Sequence, residues 1–135
     1  MRVDLKYLGH SEVTRDAHST SVRFAPNLAR PKVFFDGEVS HAVRKVPASG
    51  DYRVQAHHGG SEEPHVVTEA ELATARAALA LAPAGVVYAR VDLVEHEGVP
   101  TVMELELIEP DLFLRADDRA LERFVDCVEG QLPSA

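Results

Sequence analysis

Residues 86–108 read VVYARVDLVEHEGVPTVMELELI, two apolar-rich segments joined by the short connection EHEG. Successive side chains of a β-strand point to opposite faces, so the alternation predicts strands at residues 86–94 and 100–108. One predicted face carries Val87, Ala89, Val91, Leu93, Met103, Leu105 and Leu107. If the connection sets an even register, the other face carries Arg90, Asp92, Glu104 and Glu106. The segment therefore predicts a β-hairpin with one charged face.

The carboxylates of this hairpin point to a metal. Those of Asp92, Glu104 and Glu106 repel one another, and like charges across a sheet destabilise it. A hard cation relieves the repulsion, and Mg²⁺ takes oxygen ligands of this kind together with water and substrate phosphates. Arg90 beside them suits an anionic reacting group. Spacing alone leaves two interpretations open: a metal site, or an exposed surface whose charges have no ligand.

The preceding segment also predicts strands. In chain order it contains a strand at 33–35, the dipeptide Asp36-Gly37, a strand at 39–46, a short strand at 52–56 and a polar loop at 57–64. An Asp-Gly dipeptide between apolar runs is typical of a two-residue hairpin turn. The basic residues Arg44, Lys45 and Arg53 lie beside a loop with two glycines, a weak indication of phosphate binding.

Two helices complete the predicted fold. Thr68 and Glu71 have capping-box spacing at the start of the first, which Pro83 and Gly85 end. The second is predicted from Asp117 or Asp118 to Gly130, burying Leu121, Phe124, Val125 and Val128. The order of hairpin, strand, helix, hairpin and helix predicts an α+β fold, an antiparallel sheet with helices on one face.

Composition restricts the function classes. The 135 residues carry 14 Lys and Arg against 22 Asp and Glu, a formal charge of −8, which argues against general nucleic-acid or anionic-membrane binding. The charge is +3 over residues 1–60 and −11 over residues 61–135. This asymmetry fits a site for a metal–polyphosphate complex, and also fits a plain acidic surface.

Cysteine and histidine usage exclude other kinds of site. A single cysteine, Cys127, excludes an internal disulfide framework and is interpreted as a buried small side chain. His57 and His58 match no zinc motif, so a loop is the better interpretation. No apolar run reaches the roughly 18–20 residues of a membrane span. The sequence predicts a cytoplasmic protein with no nucleic-acid or membrane partner.

Several segments together resemble a known family. They are FFDGEVSHAVRK (34–45), GDYRVQAHHGG (50–60), YARVDLV (88–94) and MELELIEPDLFL (103–114). Their order and spacing resemble the C-terminal half of ATP-grasp ligases, and are most similar to the subgroup that contains the cyclo-ligase of cycloserine biosynthesis. Asp92 precedes Glu104 by twelve residues, as R-x-D precedes E-x-E or E-x-N in that family. The resemblance implies an ATP-grasp catalytic half-domain over residues 31–130, with residues 1–30 unassigned and 131–135 a tail.

The resemblance implies an ATP-dependent ligase, which activates a small-molecule carboxylate as an acyl phosphate for attack by an amine-type nucleophile. ATP and Mg²⁺ (or Mn²⁺) would be its cofactors. The metal ligands would be Asp92, Glu104 and Glu106, with Glu104 between two ions and Glu106 where many members have Asn. The catalytic cations would be Arg90 and Arg53. The nucleotide contacts would be Lys45, Arg53, Gln55, Gly59 and Gly60.

The resemblance covers about half of such an enzyme. The family's N-terminal substrate domain and lid domain find no match in this sequence, so we expect an incomplete catalytic half that forms a homodimer or pairs with a missing partner domain. The alternative is a truncated, non-catalytic remnant that acts as a binding or dimerising module. Nucleotide binding by the chain discriminates between the two.

Overall fold

A computed structural model describes residues 29–46 and 61–132, which form a five-stranded sheet and two helices. The strands are β1 (Arg30–Phe35), β2 (Glu38–Val46), β3 (Ser61–Pro64), β4 (Tyr88–His96) and β5 (Val99–Glu106). The helices are α1 (Glu69–Leu79) and α2 (Ala120–Gly130). Neighbouring strands are antiparallel throughout, in the order β3-β2-β1-β4-β5. The predicted α+β class with an antiparallel sheet is confirmed.

Both predicted hairpins are present, and each turn contains two residues in the left-handed backbone conformation. Asp36 and Gly37 have φ angles of 47° and 80°, and Glu97 and Gly98 have φ angles of 50° and 78°. Positive φ at both central residues is typical of a type I′ turn, whose twist matches that of the strands it joins. The second turn therefore uses only the last two residues of the EHEG connection.

The β4–β5 register changes part-way along the hairpin. The pairs are His96–Val99 and Leu93–Val102 near the turn, then Asp92–Glu104 and Arg90–Glu106 beyond it. Met103 is therefore an extra residue in β5, a β-bulge. A one-residue slip moves side chains to the opposite face, so the bulge turns Glu104 and Glu106 toward the face of Arg90. The predicted shared face is confirmed, but the bulge sets it and the turn does not.

The sheet carries a hydrophobic core on each face, and each core is covered by one helix. On one face α1 packs against Phe34, Ala89, Val91 and Leu93 through Ala75, Leu72 and Leu79. On the other face α2 packs through Phe124 and Cys127 against Val33, Phe35, Val43 and Phe113. The prediction that both helices lie on one face is wrong, because consecutive residues of β1 are buried and both faces need cover.

Helix α2 leaves part of its predicted apolar face uncovered. Phe124 packs on Phe35 with ring centroids 5.4 Å apart, and the Cys127 thiol donates to the carbonyl of Val87 at 3.3 Å. Exposure is 58% for Leu121, 43% for Val125 and 37% for Val128. The prediction that these three are buried is therefore wrong, because the sheet contacts an adjacent side of the helix.

Two local predictions have opposite outcomes. The α1 capping box is confirmed, since Thr68 Oγ1 accepts the Glu71 N–H at 3.2 Å and the Glu71 carboxylate accepts the Thr68 N–H at 3.0 Å. The prediction of a loop through residues 61–64 is wrong, because these residues form the edge strand β3. Their polar side chains show no alternation, since most of this strand faces solvent. The strand predicted at 52–56 lies outside the described residues.

Candidate functional site

The charged face of the β4–β5 hairpin brings four side chains together. Arg90 and Asp92 come from β4, which lies between β1 and β5, and they are 6% and 1% exposed. Glu106 lies directly across from Arg90, and Glu104 directly across from Asp92. The two glutamates lie on the edge strand and are half-buried. One side of the cluster is therefore fixed within the sheet, and the other is accessible to solvent.

Arg90 occupies the centre of this cluster. Its Nε donates to Asp92 Oδ1 at 2.7 Å and its Nη2 to Asp92 Oδ2 at 3.2 Å. The same Nη2 lies 2.8 Å from Glu106 Oε1 and 3.8 Å from Glu104 Oε2. Burial alone would lower the pKa of Arg90, but the three carboxylates outweigh it and raise that pKa. The guanidinium therefore stays charged.

Glu104 is the carboxyl that these contacts neutralise least. Burial, together with repulsion from Glu106 and Asp92, raises its pKa to about 7, and Arg90 offsets only part of this rise. Burial and the crowding of carboxylates on adjacent strands thus both disfavour the charged form of Glu104. A carboxyl that holds a proton near neutral pH beside two others is a candidate cation ligand, because a divalent ion can replace that proton.

A second cation and an aromatic ring adjoin the cluster. Lys45 reaches across from β2, and its Nζ lies 3.8 Å from Asp92 Oδ2. The ring of Phe113 lies 5.5 Å from Lys45 Nζ and 5.5 Å from Arg90 Cζ, within cation–π range of both. Sequence reasoning missed Phe113, since the EPDLFL segment after β5 has no periodicity that marks it. Only its place in the resembling segment MELELIEPDLFL pointed there.

A separate ion cluster lies on the opposite face of the sheet, between β1 and α1. Lys32 is fully buried, and its Nζ donates to Glu71 Oε1 at 2.9 Å and to the Arg30 carbonyl at 2.8 Å. His65 Nε2 lies 2.9 Å from Glu71 Oε2. Burial favours neutral Glu71, but hydrogen bonds from Thr68, His65 and Lys32 lower its pKa to about 2. These groups satisfy one another, so the cluster joins helix to sheet.

A cleft of about 250 Å³ also lies on the α1 side of the sheet, beside the β1–β2 turn. Phe34, Leu79 and Ala89 contribute to its lining, and Asp36 is the charged residue among the lining side chains. Its size does not make it the reactive site, because the carboxylate cluster lies on the other face. We therefore place the candidate site at the charged face of the hairpin.

Solved structures of ligases share this fold. The crystal structure of D-cycloserine synthetase DcsG matches with a TM-score of 0.61 and 32% identity, over 81% of this chain and 39% of that one. D-Alanine–D-alanine ligase from Bacillus anthracis, complexed with ATP, matches with a TM-score of 0.55 and 20% identity, over 82% and 39% of the respective chains. A second structure of that ligase gives 0.50 and 20%, over 81% and 40%.

The chain has a partial ATP-grasp fold. This confirms the resemblance read from the sequence. The chain spans only 39–40% of the length of these ligases. Neither a protein-family model nor a curated protein matches it.

The structure places the implied ATP-grasp residues in two groups. It brings together Arg90, Asp92, Glu104, Glu106 and Lys45. Outside the described residues lie Arg53, Gln55, Gly59 and Gly60, and their roles stay predictions. No helix within residues 29–46 and 61–132 is long and apolar enough to cross a membrane.

The carboxylate cluster suits a hard divalent cation in its chemistry. In the described part of the chain, no group of three or more His, Cys, Asp or Glu side chains is arranged to hold a metal as it stands. Asp92 and Glu106 are instead engaged by Arg90. The donor atoms are nevertheless carboxylate oxygens, the ligands that Mg²⁺ prefers. The pKa of Glu104 is raised by burial and by repulsion from Glu106 and Asp92, and a cation would relieve that repulsion.

Proposed function

We propose that this chain is the ATP- and Mg²⁺-binding catalytic part of an ATP-grasp ligase that activates a carboxylate as an acyl phosphate for an amine-type nucleophile. The observation that carries the proposal is the cluster of Arg90, Asp92, Glu104 and Glu106 on one face of a single hairpin. The ligase fold and the 32% identity to D-cycloserine synthetase support it. The structure of a D-alanine–D-alanine ligase with ATP supports the choice of nucleotide.

The three carboxylates would hold the metal. The ligands would be Asp92, Glu104 and Glu106, and the metal would be Mg²⁺ or Mn²⁺. When bound, the metal neutralises phosphate charge on the nucleotide and the charge that develops during phosphoryl transfer. The edge position of Glu104 and Glu106 leaves their oxygens accessible, as this role requires.

Arg90 would bind the transferring phosphoryl group or the tetrahedral intermediate. In the protein alone, its guanidinium is satisfied by Asp92 and Glu106. A cation competes for those same carboxylate oxygens, so metal binding would free guanidinium donors for an anionic group. Lys45 supplies a second positive charge from β2. Nucleotide contacts by Arg53, Gln55, Gly59 and Gly60 are part of the proposal.

Calorimetric titration with a non-hydrolysable ATP analogue, in Mg²⁺ and separately in Mn²⁺, tests the proposal. We expect binding that Asp92→Asn and Glu104→Gln each weaken at least tenfold, on the order of 1.4 kcal/mol. Glu95→Gln is the matched control, because Glu95 is a carboxylate of the same strand whose side chain is 52% exposed. No binding at millimolar nucleotide would reject the proposal for this chain alone.

A non-catalytic module that self-associates is the second candidate function. The observation that favours it is the uncovered apolar stripe of Leu121, Val125 and Val128 on α2. Sedimentation velocity of the chain and of Val125→Glu distinguishes the candidates. A concentration-dependent dimer that Val125→Glu abolishes, in a chain without nucleotide affinity, would support this candidate over the ligase.

A further inference from the structure

Phe113 has a backbone conformation that is unusual for an aromatic residue. Its φ angle is 47°, in the left-handed region, and its side chain is largely buried at 7% exposure. A bulky residue in this region is a genuine outlier, and such a conformation costs about 1–3 kcal/mol. It persists only where the surroundings fix it, so the contacts of this loop matter.

Three hydrogen bonds fix the loop that carries Phe113. Asp111 Oδ1 accepts the Phe113 N–H at 3.0 Å, and the Phe113 carbonyl accepts the Ala116 N–H at 2.9 Å. His41 Nε2 lies 2.8 Å from the carbonyl oxygen of Leu112. Because a carbonyl can only accept, His41 Nε2 carries the proton and donates. The loop is held on both sides of Phe113.

His41 is itself held by side chains from two elements. With Nε2 protonated, Nδ1 of the neutral ring accepts from Ser40 Oγ at 2.9 Å, and Ser40 Oγ accepts from Arg123 Nε at 2.8 Å. His41 is 8% exposed, and burial lowers its pKa, which favours the neutral ring. A continuous network therefore runs from α2 through β2 to the loop.

The ring of Phe113 contacts both cations of the candidate site. Lys45 Nζ and Arg90 Cζ each lie 5.5 Å from its centroid, and both groups also face Asp92. The Lys45–Asp92 separation of 3.8 Å is long for an ion pair, and a lysine side chain has many rotamers. The ring therefore restricts a cation that the carboxylate alone holds loosely.

We propose that Phe113, fixed in place by Asp111 and His41, is a positioning residue that holds Lys45 and Arg90 against Asp92. The inference rests on the proposed function for its catalytic meaning. The competing explanation is that Phe113 only fills the core, where it packs with Val33, Phe35 and Val43. The two differ in what the cations do when the ring is removed and the core volume is nearly kept.

Nitrogen NMR of Arg90 in the full chain separates these explanations. Phe113→Leu retains apolar volume without a π face, Phe113→Tyr retains the ring, and Val43→Ala perturbs the same core while the Phe113 ring is kept. We expect Phe113→Leu to lose the ring-current shift of the Arg90 Nε–Hε signal and to lower its heteronuclear NOE. Val43→Ala and Phe113→Tyr should leave both near wild type. An unchanged NOE in Phe113→Leu, or an equal loss in Val43→Ala, would overturn the proposal.

Nucleotide affinity gives a second readout. Phe113→Leu should weaken binding of the Mn²⁺–ATP analogue about tenfold, the size expected when two cation–π contacts are lost. Phe113→Tyr should restore it to within about twofold, and Val43→Ala should leave it unchanged. Equal weakening by Phe113→Leu and Val43→Ala would show a merely structural role. If the wild-type chain binds no nucleotide, the proposed function fails for this chain, while the NMR comparison still decides whether Phe113 positions the cations.

Discussion

Replacing Glu71 by Gln tests how α1 is joined to the sheet. The Glu71 side chain is 3% exposed and lies 2.9 Å from Lys32 Nζ. Gln can still complete the capping box with Thr68, because the motif accepts Glu or Gln at this position. The substitution therefore keeps the helix cap but removes the negative charge beside a fully buried lysine.

The magnitude follows from the pKa of Glu71. Its pKa falls from the ordinary value of 4.5 to about 2, and at about 1.4 kcal/mol per unit this gives about 3 kcal/mol. A pKa depressed in the folded state stabilises the protein above the unfolded value, and that contribution disappears as pH falls from about 4.5 to about 2. We therefore expect Glu71→Gln to lower the free energy of unfolding by about 3 kcal/mol at neutral pH.

Urea unfolding followed by far-UV circular dichroism measures this loss across pH. The difference between wild type and Glu71→Gln should shrink as pH falls through the range between the two pKa values. Glu69→Gln, an exposed acid in the same first turn, is the control and should change stability by no more than about 0.5 kcal/mol. Lys32→Met combined with Glu71→Gln should recover part of the loss, because both charges are then absent. Equal stabilities for Glu71→Gln and Glu69→Gln would refute the reasoning.

Three further predictions concern the hairpin and α2. Glu104→Gln should stabilise the protein by about 3 kcal/mol above pH 7 and little below pH 4.5, in urea unfolding, since a raised carboxyl pKa costs stability as pH rises between those values; a constant difference across pH would contradict this. Deleting Met103 should retain folding and nucleotide binding, by circular dichroism and calorimetry, because Glu104 would then follow Val102 directly and still face Asp92; deleting Leu105 should abolish binding, because either Glu104 or Glu106 must then turn toward α1. Leu121→Gln should change thermal stability by no more than about 0.5 kcal/mol, because Leu121 is 58% exposed, and a larger loss would mean that the stripe is covered.

The elements that sequence predicts correctly are those with local signals. The Asp36-Gly37 dipeptide predicts its turn, since two left-handed residues in succession suit few other pairs. The Thr68–Glu71 spacing predicts the start of α1. Alternation in residues 86–108 predicts both strands within two residues of their observed bounds. Each of these signals lies within a few residues of the feature it determines.

Lys32 shows why the rest could not be predicted in this way. A lysine in a strand suggests an exposed position. Its burial depends on Glu71, which lies 39 residues further along the chain. The exposure of the α2 stripe also depends on parts of the chain that are distant in sequence. Apolar periodicity predicts an apolar face on the helix, but it does not show whether another element packs against that face.

The charged face of the hairpin depends both on a local turn signal and on the pairing of residues that are further apart in the sequence. Across a two-residue turn without a bulge, facing residues are separated by odd numbers, as His96 and Val99 are. Asp92 and Glu104 are separated by twelve, an even number, so they face each other only if one strand has an extra residue. A Glu-Gly turn with an even spacing between charged partners therefore predicts a bulge between the turn and the site, and the structure places it at Met103. The ATP-grasp resemblance includes the twelve-residue spacing from Asp92 to Glu104, and that same spacing allows the two residues to face each other only when the hairpin contains a β-bulge.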